Sequence, residues 1–495
     1  MSISMRLEEN IQYLDGVLEN CGDVVRHMLM IANVPVYVIY MDSMIDRELI
    51  EGDFLRNLMY GIQQLPIEHR IEYMQTRAIT TADSKTVLCM DDALVEALSG
   101  NTVIFVDGCE KALVISSKKF PVRGVQAAQS EVAVRGPKDS FTESMRMNTV
   151  LIRRRIKDTH LKSIQKRLGV RSKTDVAIMY MDGIVRPEIL KEILERLDSF
   201  QIDGIFDCGN IEQLTEKKWY SPFPQFQTTE RPDKAASALL EGRIVMVVDN
   251  SPMVLLLPTT MNCFFQAADD YYNRWEIVCF VRILRYIAAW IAMTLPALYI
   301  GIICFHPEML PSSLELSFAA ARRGVPFPVP IEVLLLELAF ELLREAGIRL
   351  PGPMGSALGI VGGLIIGQAA VDAQIISPIV VIIVALTALA SFTIPNEGFA
   401  SAFRLVKFYL IVLASFLGVY GVVLGLLTVF IHLASLDSFG IPYLMPFVAV
   451  NVEKSMDWQD GLIRKPLFQM KKRPVFSRKD QRIRYRKEGG NDVFK

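Results

Sequence analysis

Two regimes of hydrophobic patterning divide this chain near Arg285. Before that point, short apolar runs alternate with polar turns and with segments of helical period, the pattern of an ordinary α/β protein. From Ile287 to Ser435 the apolar runs are as long as lipid-embedded helices, and a short basic tail closes the chain. A span needs about 20 mostly apolar residues. Ile287–Phe305 qualifies, and so does the run from Ser356 to Pro395, which Asp372/Gln374 and Ser377-Pro378 divide into two spans. Leu405–Ala434 is expected to be a fourth. Arg274, Arg282 and Arg285 precede the first span, and Arg464–Lys487 holds eleven Lys/Arg against the single acid Asp480. Basic residues collect on the cytoplasmic side of spans, so both ends are expected to be cytoplasmic. Arg404 and Lys407 would then fall on the outer side, against that rule.

Within the soluble half the pattern repeats. VYVIYMDSMIDRELIEGDFLRNL (36–58) resembles VAIMYMDGIVRPEILKEILERL (176–197), each reading as a buried strand, an Asp-led turn and an amphipathic helix. ALSGNTVIFVDGCEKALVIS (97–116) resembles LLEGRIVMVVDNSPMVLLLP (239–258), each a hairpin turning at Asp107-Gly108 or Asp249-Asn250. The Asp pairs lie 140 and 142 residues apart (182 − 42, 249 − 107). The fold class is therefore an α/β soluble N-terminal half of two similar subdomains plus an all-α polytopic membrane domain. The domain reading is 1–130 first subdomain, 131–170 basic connecting segment, 171–275 second subdomain, 276–440 transmembrane helices and 441–495 basic cytoplasmic tail. Asp42, Asp107, Asp182 and Asp249 end apolar strands, where acids bind metal or ribose, but Asp is also the usual turn former and cap.

Composition adds exclusions. The average of 51% hydrophobic residues, 22% charged residues and a net charge of −1 hides the division between the halves. Seven cysteines without paired spacing argue against a disulfide framework or structural zinc, and the five histidines stand apart. Residues 1–30 are acid-rich, so no cleaved secretory leader is expected. Walker, GxSxG, HExxH and kinase patterns are absent from the sequence, so neither an enzyme nor a cofactor is expected. The basic stretch Val134–Lys162 fits a membrane-surface contact, an intersubunit strip or a solvated helix; without interleaved aromatics it gives no reason to expect nucleic acid.

Two features of the apolar half go beyond hydropathy. Gly355, Gly359, Gly363 and Gly367 recur every four residues in GSALGIVGGLIIGQAA, a stripe suited to close helix packing or a pore wall. Ile331–Gly347 carries Glu332, Glu337, Glu341 and Glu345; the last three share one helix face and Glu332 points elsewhere. Such acids either face a water-filled path, where a symmetric oligomer would make acidic rings for cations, or sit in water on a helix lying along the outer surface.

RGPKDSFTESMRMNTVLIRRRI, EGRIVMVVDNSPMVLLLPTT, QAADDYYNRW, RRGVPFPVPIEVLLLELAFELLREAGIRLP, GIVGGLIIGQAAVDAQIISPIVVIIVALTALASF and KSMDWQDGLIRKPLFQMKKRP run in order over most of residues 30–474. In these blocks the chain resembles the A-subunit family of bacterial spore germination proteins, the GerA family. The resemblance implies a multi-pass protein of the spore inner membrane with a large cytoplasmic N-terminal domain. It implies partnership with a B-type membrane subunit and a C-type lipoprotein in a nutrient receptor, and a homo-oligomer that releases cations when nutrients bind. A sporulation-stage paralog of the same family is the alternative it leaves open, and a secondary transporter is the alternative outside it.

Overall fold

The computed structural model describes residues 1–31, 34–46, 74, 83–119, 131, 135–348, 366–448 and 460–485. The chain forms two compact units. One comprises Met1–Lys217, Phe226–Thr259 and the chain from Leu467 onward; the other comprises Lys218–Gln225 and Thr260–Pro466.

The first unit holds two five-stranded antiparallel sheets. In the first, β1 (Val24–Ile31), β2 (Val34–Met41), β3 (Ser84–Val87), β4 (Thr102–Val106) and β5 (Ala112–Ile115) lie in the order β1-β2-β4-β5-β3. In the second, β6 (Leu161–Leu168), β7 (Thr174–Met181), β8 (Gln227–Thr229), β9 (Ile244–Val248) and β10 (Val254–Leu257) repeat it as β6-β7-β9-β10-β8. The central strands β4, β5, β9 and β10 are buried at every position, which is why they read as unbroken apolar runs. The predicted turns are there: Gly108 and Asn250 take positive φ of 85° and 68° in the two hairpins. Asp42 and Asp182 accept hydrogen bonds from the next backbone N–H, of Ser43 (3.0 Å) and Gly183 (2.9 Å). These aspartates build turns.

The repeat is larger than the periodicity suggests. Helix α1 (Leu7–Val17) precedes the first sheet with α2 (Met90–Leu98) inside it; α3 (Met145–Arg153) precedes the second, followed by α4 (Pro187–Asp198), α5 (Cys208–Thr215) and α6 (Pro232–Leu240). The hairpin Asp107 accepts from Leu7 N at 3.2 Å and its counterpart Asp249 from Met145 N at 3.0 Å, so each caps the helix that opens its repeat. Buried Asn10 clamps the loop before α1 through Ser4 N (2.9 Å) and Ser4 O (2.7 Å); buried Asn148 does the same before α3 through Thr142 N (2.7 Å) and Thr142 O. Residues 131–170, read from sequence as a connecting segment, therefore hold the opening helix and first strand of the second repeat. Their arginines serve the fold: Arg153, fully buried, donates to both oxygens of Asp23 at 2.6 and 2.9 Å and ties the repeats together. Asn148→Ala is expected to cost about 1–3 kcal/mol, because it leaves the Thr142 amide and carbonyl unpaired. A lowered thermal midpoint of the purified full chain checks this, and an unchanged midpoint refutes it.

The tail expected to be one basic segment divides. Residues 441–448 and 460–466 belong to the second unit, and residues 467–485 pack on the second repeat. Val185 pairs with Ser477, Arg186 donates to the carbonyls of Ser477 and Val475, and Arg243 lies 5.3 Å over the Phe476 ring.

The second unit is a helix bundle. Its helices are α7 (Trp275–Phe305), α8 (Ser312–Ala321), α9 (Val329–Ile348), α10 (Pro378–Phe392) and α11 (Glu397–Ser435). Among the described residues, α7 and α11 are long and apolar enough to cross a membrane, and α10 is a shorter apolar helix. The expected break at Ser377-Pro378 is present, with Ser377 as the N-cap and Pro378 opening α10.

The single span expected at Leu405–Ala434 is corrected. Gly418 (φ 61°, ψ −142°) interrupts α11. Beyond it the chain turns back, so residues 397–417 and 419–435 form two antiparallel arms. The Tyr409 and Thr428 hydroxyls are 3.0 Å apart, whereas nineteen residues of straight helix would separate them by roughly 28 Å. Gly421 and Gly425 make the closure possible: a Cβ on Gly421 would overlap Leu413 O and lie 2.7 Å from Leu413 C, and one on Gly425 would lie 2.5 Å from the Leu410 side chain.

Candidate functional site

Charged side chains inside an apolar bundle are costly unless paired, so their partners show what the bundle is built around. One group surrounds the start of α7. Buried Arg282 donates to Asp270 Oδ2 (2.9 Å), Asp460 Oδ1 (2.8 Å) and the carbonyls of Asp460 and Gly461 (2.9 and 3.1 Å). Arg285 donates to both Asp270 oxygens at 3.0 and 2.9 Å. Arg464 reaches Asp270 O and lies 5.2 Å over the Tyr271 ring, while Tyr271 OH donates to Asp460 Oδ2 at 2.7 Å. Residues nearly two hundred positions apart in sequence thus close one collar. By charge alone Arg282 and Arg285 read only as a flank; their spacing of three in an apolar helix just after Asp269-Asp270 is the signal for the collar.

The second group is a ladder between α9 and the first arm of α11, which run antiparallel. Glu337, 3% exposed, meets Lys407 Nζ, and one turn along Glu341 meets Arg404 Nε at 3.3 Å. Arg404 also holds Glu397 at 3.1 Å. At one end, fully buried Glu332 accepts from Ser377 N (2.8 Å) and pairs with Arg322 (3.3 Å). At the other, Arg344 lies 4.9 Å over the Phe392 ring and donates to Ser391 Oγ at 3.4 Å. Glu332 and Glu337 are thus buried in the bundle, whereas Glu341 is partly exposed. Arg404 and Lys407, which the sequence puts on the outer side, pair with these acids. Among the described residues Glu337 Oε1 accepts no hydrogen bond, and Lys407 is the cation that pairs with this carboxylate.

Of the remaining residues singled out, Glu345 lies exposed beyond Glu341 on α9. Gly367 is buried, and a Cβ there would lie 3.2 Å from Val381 of α10, as close helix packing requires. Gly355, Gly359 and Gly363 lie outside the described residues. Sequence reasoning missed Phe223. It is 2% exposed and packs on Phe399, Phe403 and His432 with ring centroids 6.0, 6.0 and 6.3 Å away.

The fold and these clusters define a protein that joins a duplicated α/β module to an apolar helix bundle with paired charges in its interior. The chain belongs to the Bacillus/Clostridium GerA spore germination protein family, whose model matches residues 12–476. It is 39% identical to spore germination protein KA of Bacillus subtilis over 98% of this chain and 89% of that one. It is 38% identical to spore germination protein A1 of the same organism (93% and 94%) and 38% identical to its membrane protein YfkQ (95% and 91%). Among solved structures, the N-terminal domain of the A subunit of the Bacillus megaterium spore germinant receptor GerK3 matches at 31% identity and a TM-score of 0.43, covering 52% of this chain and 96% of that chain.

Proposed function

We propose that this chain is the A-type subunit of a spore germinant receptor. It is a non-catalytic, multi-pass protein of the spore inner membrane whose N-terminal unit and tail are cytoplasmic. It assembles with a B-type membrane subunit and a C-type lipoprotein, oligomerises, and forms or gates the path by which cations leave the germinating spore. The observation that carries this reading is the family match over nearly the whole chain, module and bundle together. Same-side ends are supported inside the bundle. Its entry and exit meet at one end, where Met261 N donates to Tyr443 O at 2.8 Å and the Phe265 and Tyr286 rings stack at 4.1 Å.

The ladder shapes the proposed mechanism. With Glu337 and Glu341 held by Lys407 and Arg404, the acids are neutralised within the chain, and this arrangement is the closed state. Cation passage requires these pairs to part, exposing carboxylates to water. Spores lacking this chain are expected to lose their response to one set of nutrients while forming normally. Arrest during sporulation with an intact nutrient response would refute the receptor role and favour the sporulation-stage paralog.

A further inference from the structure

We infer that the segment Lys218–Tyr220 is a lipid-interface anchor, seated in the headgroup layer of the bilayer that the bundle crosses. The inference rests on the membrane-spanning reading of that bundle.

Residues 218–225 lie in the chain between α5 and β8 of the second repeat, yet their contacts are with the helix bundle. Phe223 is the buried foot described above. Around it, Ser221 Oγ is 2.9 Å from His432 Nε2, Lys218 Nζ reaches Ser435 O and Ser435 Oγ (2.9 Å), and Tyr443 OH donates to Pro224 O at 2.9 Å. These bonds fix the segment at the end of the second arm. The two residues between the anchor points, however, face outward. Trp219 is 82% exposed and Tyr220 59% exposed; they meet edge to face with centroids 6.0 Å apart, and Tyr220 packs on His432 at 5.9 Å.

A held loop that presents two large aromatic rings to the outside is costly in water. Its position names the occupant. The second arm carries Leu427, Phe430 and Ile431 exposed up to the residue before His432, and Trp290 of α7 lies exposed beside Phe430 at 5.9 Å. Exposed apolar side chains of the bundle therefore reach the residue next to His432, on which Tyr220 packs. Tryptophan and tyrosine, with an apolar ring and a polar N–H or O–H, concentrate at that depth, and a lysine stem lies across the apolar edge with its ammonium in the polar layer.

The test uses the full chain reconstituted in vesicles of phosphatidylglycerol and phosphatidylethanolamine. The four tryptophans are reduced to one, Trp219 or Trp290, by replacement with Phe. Lipids bearing a nitroxide on the headgroup are expected to remove most of the Trp219 emission, and nitroxides deep on the acyl chain much less of it. Trp290 is expected to respond to the acyl-chain label. If Trp290 is quenched by lipid while Trp219 responds only to aqueous iodide, the anchor is refuted. If Trp219 is shielded from iodide and from both lipid labels, a protein surface covers it and the anchor is again refuted. If Trp290 escapes both lipid labels, the membrane-spanning reading fails, and the anchor with it.

Discussion

Lys407→Ala is expected to destabilise the bundle by about 3–5 kcal/mol, because it strands the Glu337 carboxylate in an apolar interior with no other cation against it among the described residues. The size of the loss depends on whether one partner is removed or both. A buried ion pair gives up much of its attraction to desolvation, so the pair contributes little net stability, but one half of it left alone is strongly unfavourable. Replacing both at once, Lys407→Met with Glu337→Leu, is therefore expected to recover most of the loss. Thermal unfolding midpoints of the three purified full-length proteins in the same detergent separate the cases. If Lys407→Ala unfolds at the wild-type midpoint, the pair is not buried as described; if the double variant is as damaged as the single one, the loss is in packing rather than charge.

Gly421→Leu is expected to have an effect of comparable size by another route. Even the first carbon of any side chain would overlap Leu413 O and come within 2.7 Å of Leu413 C, and these are backbone atoms that cannot rotate away. Overpacking costs roughly 1–3 kcal/mol when side chains can adjust. Here the arms must separate, so the cost lies at or above the upper end of that range. The readout is a crosslink by a short homobifunctional thiol-reactive linker between Tyr409→Cys and Thr428→Cys, whose native side chains meet at their tips, in a chain whose native cysteines are replaced. It should form readily with Gly421 present and be lost when the Gly421→Leu substitution is added. Failure of the crosslink with Gly421 present would mean that α11 is one straight helix.

These two predictions mark where sequence reasoning stopped. The soluble repeat was legible because strands carry their signal locally: VYVIYMD and VAIMYMD are apolar runs ending in an acid, and they form β2 and β7, equivalent strands of two sheets with the same order. Asn10 and Asn148 were not legible, since one asparagine in a short helix has no periodic signature and acts only through the loop it folds back to clamp. The hairpin in α11 was hidden because Gly418, Gly421 and Gly425 sit in an unbroken apolar run, and glycine is frequent in such runs for other reasons. Hydropathy counts apolar length and cannot see that the run turns. The ladder was half legible. The shared face of Glu337 and Glu341 follows from helical period, but their partners Arg404 and Lys407 lie over sixty residues away, and charge counting placed them outside the membrane. Pairing across a bundle is a property of packing, which periodicity along one helix does not contain.

The corrected positions sharpen the proposed gate. On the proposed function, the pairing of Glu337 and Glu341 with Lys407 and Arg404 of the neighbouring arm is the closed state, and opening would exchange those partners for water and a passing ion. Neutralising the pair removes the acids without leaving a stranded charge, so the fold can survive while the chemistry changes. The most direct test is the rate of nutrient-triggered monovalent cation release from spores carrying the Glu337→Leu/Lys407→Met double variant or Glu341→Gln, with the abundance of the chain measured in parallel. The account predicts altered release from both at wild-type abundance; wild-type release kinetics from both at that abundance would contradict it.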